Sequence, residues 1–132
     1  TELTGELNVD VTIFGESDND FFGEYILRAG DLNSDGFGDI LIGAPGNENL
    51  GSVHIFYGPL TGSIDLSASG ESSGKISGQT LSTGLNTNFG KVMALADINA
   101  NGENDILIAS DLNDVTDGQN SGGVFLFTTL IE

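Results

Sequence analysis

Two short segments place oxygen-bearing side chains at the same spacing. The first runs from Asp31 to Asp39 and the second from Asp97 to Asp105, and their first aspartates lie 66 positions apart in a chain of 132 residues. Each has oxygen side chains at positions 1, 3, 5 and 9 and a glycine at position 6. A divalent cation such as Ca²⁺ takes about 6–8 oxygen ligands in a flexible shell. The spacing therefore predicts two cation-binding loops, in which the glycine permits the tight bend.

These loops are not EF-hands. An EF-hand loop needs a bidentate glutamate at position 12 and a helix that leads out of it. Position 12 is Ile42 in the first segment and Ile108 in the second. The closing carboxylate stands at position 9 instead, and an apolar run of strand length follows it.

The composition excludes several classes of protein. Twenty Asp and Glu stand against three Lys and Arg, which gives a net charge of −17. Such a charge opposes binding to nucleic acids and to anionic membranes. No apolar run is long enough to cross a membrane, and the absence of cysteine excludes disulfides. The chain has neither a signal-peptide pattern nor an initiating Met, so we expect a processed product or a fragment.

The sequence around each loop also repeats, and this predicts two units, residues 1–66 and 67–132. The matching pairs are Ile13-Phe14-Gly15 with Ile76-Ser77-Gly78, Phe22-Gly23 with Phe89-Gly90, residues 39–42 with 105–108, and residues 51–57 with 122–127. Each unit offers about four short runs of β-branched or aromatic residues between Gly, Asn and Asp turns. No run has helical periodicity, so we expect an all-β chain with antiparallel strands. One such unit is too small to bury its own faces, and the units must stack.

These residues carry a family resemblance. Phe22-Gly23, the loop from Asp31 to Asp39, and Gly43-Ala44-Pro45 resemble the FG-GAP repeat of integrin alpha-subunit β-propellers. The second half departs from that pattern with Ala109-Ser110-Asp111 in place of Gly-Ala-Pro. The resemblance implies two four-stranded antiparallel β-propeller-type blades, which complete a ring or an array with further blades or copies.

The resemblance also implies two Ca²⁺ sites. The ligands carried over are Asp31, Asn33, Asp35, the carbonyl of Phe37 and Asp39 in the first loop, and Asp97, Asn99, Asn101, the carbonyl of Glu103 and Asp105 in the second. Because ligand charge tunes calcium affinity, the first loop, with three carboxylates against two, is predicted to bind more tightly.

The remaining chemistry-bearing residues are interpreted as structural. His54 lies in the middle of an apolar run and is predicted to be packed or on the surface, and no catalytic set is found. We therefore predict that the chain is not an enzyme. The eight phenylalanines are predicted to pack between repeat units. Four glycines are predicted to serve turns or close strand approach: Gly15, Gly43, Gly78 and Gly90.

The first functional hypothesis is a calcium-binding extracellular or cell-surface module that acts in structure or adhesion through protein–protein contact or self-assembly. Joining residues 127–132 to residues 1–5 nearly regenerates residues 56–62, as expected of a double repeat cut inside a linker. The expected partners are other blades or copies of the same chain in a ring or filament, or an extracellular protein or glycan. The alternatives are a carbohydrate-binding, lectin-like propeller and a non-catalytic part of a larger secreted protein.

Overall fold

The chain is all-β in the ranges that the computed structural model describes, residues 9–68, 70–79, 87–111 and 122–128. The strands are β1 (Val11–Phe14), β2 (Tyr25–Gly30), β3 (Asp39–Ala44), β4 (Ser52–Phe56), β5 (Gly62–Asp65), β6 (Gly74–Ser77), β7 (Val92–Ala96), β8 (Asp105–Ser110) and β9 (Gly123–Phe127). A 3₁₀ turn at Asn47–Asn49 follows β3. Strand β3 ends at Ala44, because the next residue, Pro45, has no N–H for a β-ladder. None of the helical segments in these ranges is long and apolar enough to cross a membrane.

The strands form two antiparallel sheets and one parallel pair. The first sheet has the order β2-β3-β4-β6, and the second has the order β7-β8-β9. The expected four-stranded unit is thus observed once, and a fourth strand for the second sheet stays a prediction, as does the completed ring. Strands β1 and β5 are parallel, so the expectation of antiparallel strands is wrong for this pair. Three strands of the first sheet separate β1 from β5, which gives the long connection that parallel pairing needs.

The outer strand of the first sheet comes from beyond residue 66. Strand β6 pairs antiparallel with β4 and places Ile76 opposite Val53. The sequence counterpart of β6 is β1, since Ile13-Phe14-Gly15 corresponds to Ile76-Ser77-Gly78. The first sheet therefore takes its outer strand from the start of the second sequence unit. Sheets and sequence units are out of phase, and the units 1–66 and 67–132 stay sequence predictions.

A β-bulge in β2 explains a one-residue difference between the two halves. Arg28 lies opposite Ile40 and Gly30 lies opposite Asp39, so Ala29 has no partner of its own. Strand β7 pairs with β8 without such a shift. From Phe22 to the bulge, residues therefore have counterparts 67 positions later, and residues just after the bulge have counterparts 66 positions later.

The two sheets pack face to face, as the sequence predicts for units that cannot bury their own faces. Their contact forms the apolar core: Ala29, Leu41, Val53, Ile55, Phe89, Met93, Ile106 and Ile108. Burying one large aliphatic or aromatic side chain of this kind contributes about 1.5–3 kcal/mol relative to leaving it exposed. The core therefore fixes how the second sheet sits on the first.

Glycines bring the packed segments into close approach. A Cβ on Gly43 would overlap the carbonyl oxygen of Gly90, and a Cβ on Gly78 would lie 2.7 Å from the Cβ of Phe89. A Cβ on Gly15 would stand at the same 2.7 Å from the Cβ of Phe22. The prediction that these glycines serve close approach is confirmed.

The phenylalanines divide into two groups. Phe89 and Phe125 meet edge to face with ring centres 5.4 Å apart, and Phe22 meets His54 in the same way at 5.6 Å. The prediction of packing between repeat units is confirmed for Phe89, which lies in the core between the sheets, whereas Phe22 contacts residues of its own unit instead. Three others are more than half exposed, so the prediction is wrong for them: Phe14, Phe21 and Phe37. They lie at the end of β1 or in loops, where no second sheet covers them.

Candidate metal centre

The first candidate loop, residues 31–38, connects β2 to β3. Oδ1 of Asp31 accepts a hydrogen bond from the N–H of Asp35 at 3.0 Å, and its Oδ2 accepts one from the N–H of Gly36 at 2.8 Å. Oδ1 of Asn33 accepts from the same Asp35 N–H at 3.2 Å. The side chains at positions 1 and 3 therefore turn inward, and the backbone folds around them. Gly36 has a φ of 90°, a conformation that strains any residue with a side chain.

The second loop, residues 97–104, repeats this arrangement between β7 and β8. Asp97 accepts hydrogen bonds from the N–H groups of Asn101 at 3.0 Å and Gly102 at 2.9 Å. Oδ1 of Asn99 accepts from the Asn101 N–H at 3.0 Å, and Gly102 has a φ of 91°. The two loops share one hydrogen-bond pattern, in agreement with their matching sequences.

The loops differ chemically at position 5. The Asp35 carboxylate accepts from the N–H of Phe37 and from Nδ2 of Asn33, each at 2.8 Å. Oδ1 of Asn101 accepts from the N–H of Glu103, also at 2.8 Å. The side chains of Phe37 and Glu103 are exposed, so only their backbone groups belong to the turn. The first loop thus has a carboxylate where the second has a neutral amide.

The aspartates at position 9 are buried at the base of each loop. Oδ2 of Asp39 accepts from the N–H of Leu32 at 2.6 Å, and Oδ1 accepts from the N–H of Gly58 at 2.9 Å. Oδ2 of Asp105 likewise accepts from the N–H of Ile98 at 2.8 Å. Oδ1 of Asp105 is buried, and no described residue donates to it. The counterpart of Gly58, which donates to Asp39, is residue 129 and lies outside the described ranges.

The structure brings the candidate ligands to one turn in each loop without closing a ligand shell. Side chains at positions 1 and 3 share one backbone donor, the N–H of position 5, whereas the side chain at position 5 accepts from the N–H of position 7. The aspartate at position 9 accepts from the N–H of position 2, and Asp39 also accepts from Gly58 outside the loop. Among the residues described, no three His, Cys, Asp or Glu side chains form a group that could hold a metal ion. The two Ca²⁺ sites therefore stay predictions.

The chemistry of the donor set nevertheless fits a hard cation. Every candidate ligand binds through oxygen, which Ca²⁺ prefers. A carboxylate has about four acceptor positions, so Asp31 and Asp97 keep free lone pairs after accepting two N–H bonds each. The two ion pairs found in the described ranges both lie outside the loops. A bound cation would therefore neutralise charge that these ion pairs leave uncompensated.

Sequence reasoning missed a polar cluster beside β4. His54 is only 2% exposed, which confirms that it is packed. Its Nε2 lies 3.2 Å from Oγ of Ser52, and its Nδ1 lies 3.4 Å from Oγ of Ser72. Nζ of Lys75 donates to Oε2 of Glu16 at 2.6 Å nearby. The sequence has no signal for this cluster, because its members come from separate segments.

Burial favours a neutral imidazole at His54. Burial lowers the pKa of His54, and the Lys75 ammonium lowers it further, while Glu16 and Asp20 act in the opposite direction. The hydrogen bond from Lys75 lowers the pKa of Glu16. A neutral, enclosed imidazole between two hydroxyls matches a packing role better than that of a general base.

Comparison with known proteins identifies a repeat in the first half of the chain. Residues 25–56 match the FG-GAP repeat family, and this range runs from β2 through the first candidate loop to β4. The chain is 29% identical over 109 residues to integrin alpha pat-2 of Caenorhabditis elegans, which covers 80% of this chain and 8% of that protein.

Two further relatives match shorter stretches. Identity to human integrin alpha-X is 38% over 88 residues, which is 64% of this chain and 7% of that protein. Identity to the phosphatidylinositol-glycan-specific phospholipase D of Rattus norvegicus is 33% over 93 residues, 65% of this chain and 11% of that protein. The chain thus spans about a tenth of the length of these curated relatives. It contains an integrin-like FG-GAP repeat.

Proposed function

We propose that this chain is a calcium-binding, extracellular structural or adhesive module that acts through contact with other proteins or with further copies. The observation that carries the proposal is the shared hydrogen-bond pattern of the two loops, which turns oxygens at positions 1 and 3 inward. Similarity to proteins named integrin alpha supports an extracellular, adhesion-type role.

The proposed ligands are the side chains at positions 1, 3, 5 and 9 and the backbone carbonyl at position 7 of each loop. For Ca²⁺ to bind, Asp39 and Asp105 must coordinate the ion while they still accept hydrogen bonds from the backbone. A carboxylate has enough acceptor positions to do both. The first loop supplies three carboxylates and the second two, so the first binds more tightly.

The proposed role of the ion is structural. Each loop joins two neighbouring strands of one sheet and concentrates acidic side chains at their turn. These like charges repel one another when no cation is present. When Ca²⁺ binds, these side chains coordinate the same ion, and the ion holds the strand ends together.

Calorimetric titration with Ca²⁺ tests this proposal. The unchanged chain is expected to bind two ions, while Asp31→Asn and Asp97→Asn are each expected to lose one site. Asp10→Asn is the matched control, because it removes the same charge from an exposed aspartate outside both loops. Absence of calcium binding by the unchanged chain, or equal loss of affinity in the control, contradicts the proposal.

A second candidate function is a non-catalytic segment of a larger secreted protein, which the similarity to a phospholipase D favours. We propose that this chain itself is not an enzyme. Incubation with a phosphatidylinositol-glycan substrate is expected to release no product. Hydrolysis that scales with the concentration of the purified chain would contradict this.

A further inference from the structure

The first sheet has a fully covered apolar face. This face carries Leu41, Val53 and Ile55. Leu41 pairs with Ile55. Val53 pairs with Gly43, which lies two residues from Leu41 and therefore on the same side of the sheet. Val53 is 0% exposed and Ile55 is 5% exposed, since the second sheet packs on them. We call these three residues the covered face.

The second sheet presents the equivalent face to solvent. The counterparts of the covered face are Leu107, Val124 and Leu126, and Val92 lies beside them, opposite Ala109. Val124 is 68% exposed and Leu126 is 44% exposed, against almost complete burial of their counterparts in the first sheet. We call these four residues the open face.

The other face of each sheet differs in the reverse sense: it is buried in the second sheet and partly exposed in the first. Met93 of the second sheet packs in the core between the sheets and is 2% exposed. Its counterpart in the first sheet is Ile26, which is 61% exposed. Ile26 shares its face with Arg28 and Ile40, whereas the rest of that face, with Ile42, His54 and Phe56, is buried within the chain. We call these three residues the leading face.

We propose that the leading face of a second copy of this chain docks on the open face of the first. The internal contact joins the covered face to the face of the second sheet that carries Met93, and the leading face is the exposed part of the equivalent face of the first sheet. A second copy would continue that interface in the same direction, head to tail. The inference deepens the proposed role in protein–protein contact and rests on it.

One residue makes the intermolecular contact wider than the internal one. Gly23 donates its N–H to the carbonyl of Gly43 at 3.0 Å, and Gly90 donates to Ala109 at 3.2 Å, so Gly43 and Ala109 are equivalent. A Cβ on Gly43 would overlap the carbonyl oxygen of Gly90. Ala109 carries that Cβ and keeps a partner loop at a greater distance. The contact between copies is therefore weaker than the contact between sheets.

Charge makes this contact dependent on salt. Two copies, each with a net charge of −17, repel each other, and dissolved salt screens this repulsion. Added salt is therefore expected to favour association.

Sedimentation velocity of the complete chain, from micromolar to millimolar concentration, tests the proposal. The unchanged chain is expected to self-associate, and Val124→Glu and Ile26→Glu are each expected to raise the dissociation constant by about tenfold or more. Val9→Glu is the matched control, because Val9 is exposed and lies outside both faces. Ala109→Gly is expected to tighten association by a similar factor. A chain that stays monomeric throughout, or equal weakening by the control, overturns the proposal.

Mixing the two face variants tests the head-to-tail direction. Each variant keeps one intact face, so an equimolar mixture is expected to form a one-to-one dimer although each alone is monomeric. Such a dimer also shows that both variants are folded. Self-association of Ile26→Glu alone would mean that two open faces meet, which overturns the proposal. Calcium titration of Val124→Glu is measured separately, so that failure of association and failure of calcium binding are distinguishable.

Discussion

Replacing Gly43 with alanine tests the packing of the two sheets. The added Cβ would meet the backbone carbonyl oxygen of Gly90, which cannot move aside as a flexible side chain would. Overpacking of this kind costs about 1–3 kcal/mol, and we place Gly43→Ala near the upper end because the obstacle is backbone. Alanine also restricts the unfolded chain, which returns about 0.4–1 kcal/mol. The expected net loss is about 2 kcal/mol.

Urea unfolding and thermal unfolding measure this loss. A decrease of about 2 kcal/mol is expected to lower the Tm by roughly 5–10 °C in a domain of this length. Ala109→Gly is the control. It exchanges the same two residue types in the opposite direction, at the equivalent position in the second sheet. At a concentration where the chain is monomeric, it is expected to cost about 0.5–1 kcal/mol through backbone entropy. If Gly43→Ala unfolds at the same urea concentration as the unchanged chain, the sheets do not approach at this glycine.

Three further predictions concern the loops and the buried imidazole. Asp35→Asn is expected to weaken calcium binding at the first loop, and Asn101→Asp is expected to strengthen it at the second, each by roughly an order of magnitude. Calorimetric titration measures both affinities. Changes in the reverse directions refute the charge argument. Calcium at about ten times its Kd is expected to add roughly 1.4 kcal/mol per ion to the free energy of unfolding, and equal urea midpoints with and without chelator refute native-state binding. Because the pKa of His54 is lowered in the folded chain, the free energy of unfolding is expected to fall as the pH drops below about 6.5, by at most about 1.4 kcal/mol per pH unit. His54→Gln removes this contribution, so an equal slope in urea unfolding of that variant contradicts the assignment.

The loops could be predicted in detail because their contacts are local. Asp31 reaches donors only four and five residues ahead of it, so the spacing of residue types determines the turn. The strands were predictable for a similar reason, since an apolar run such as β3 ends just before Pro45. The one-residue difference between the halves is also visible in the sequence, although only the pairing of Arg28 and Gly30 identifies it as a bulge.

The features that sequence could not provide depend on distant contacts. Strand β6 pairs with β4 through contacts such as Ile76 with Val53. No local sequence pattern shows whether β4 pairs with β6 or with a strand of another repeat. Asp39 accepts a hydrogen bond from Gly58, 19 residues away, so its carboxylate serves the fold as well as any cation. The position-9 aspartates therefore resemble metal ligands in sequence, whereas their geometry is set by competing backbone donors.

The borrowed outer strand has a mechanical consequence. Because β6 belongs by sequence to the following repeat yet completes the first sheet, a pull that separates the repeats must open the β4–β6 ladder and also expose both packed apolar surfaces to water. Tension along the chain is thus resisted by the ladder and by the packed core together. Neighbouring repeats are consequently expected to yield as one unit under load instead of unravelling one after the other.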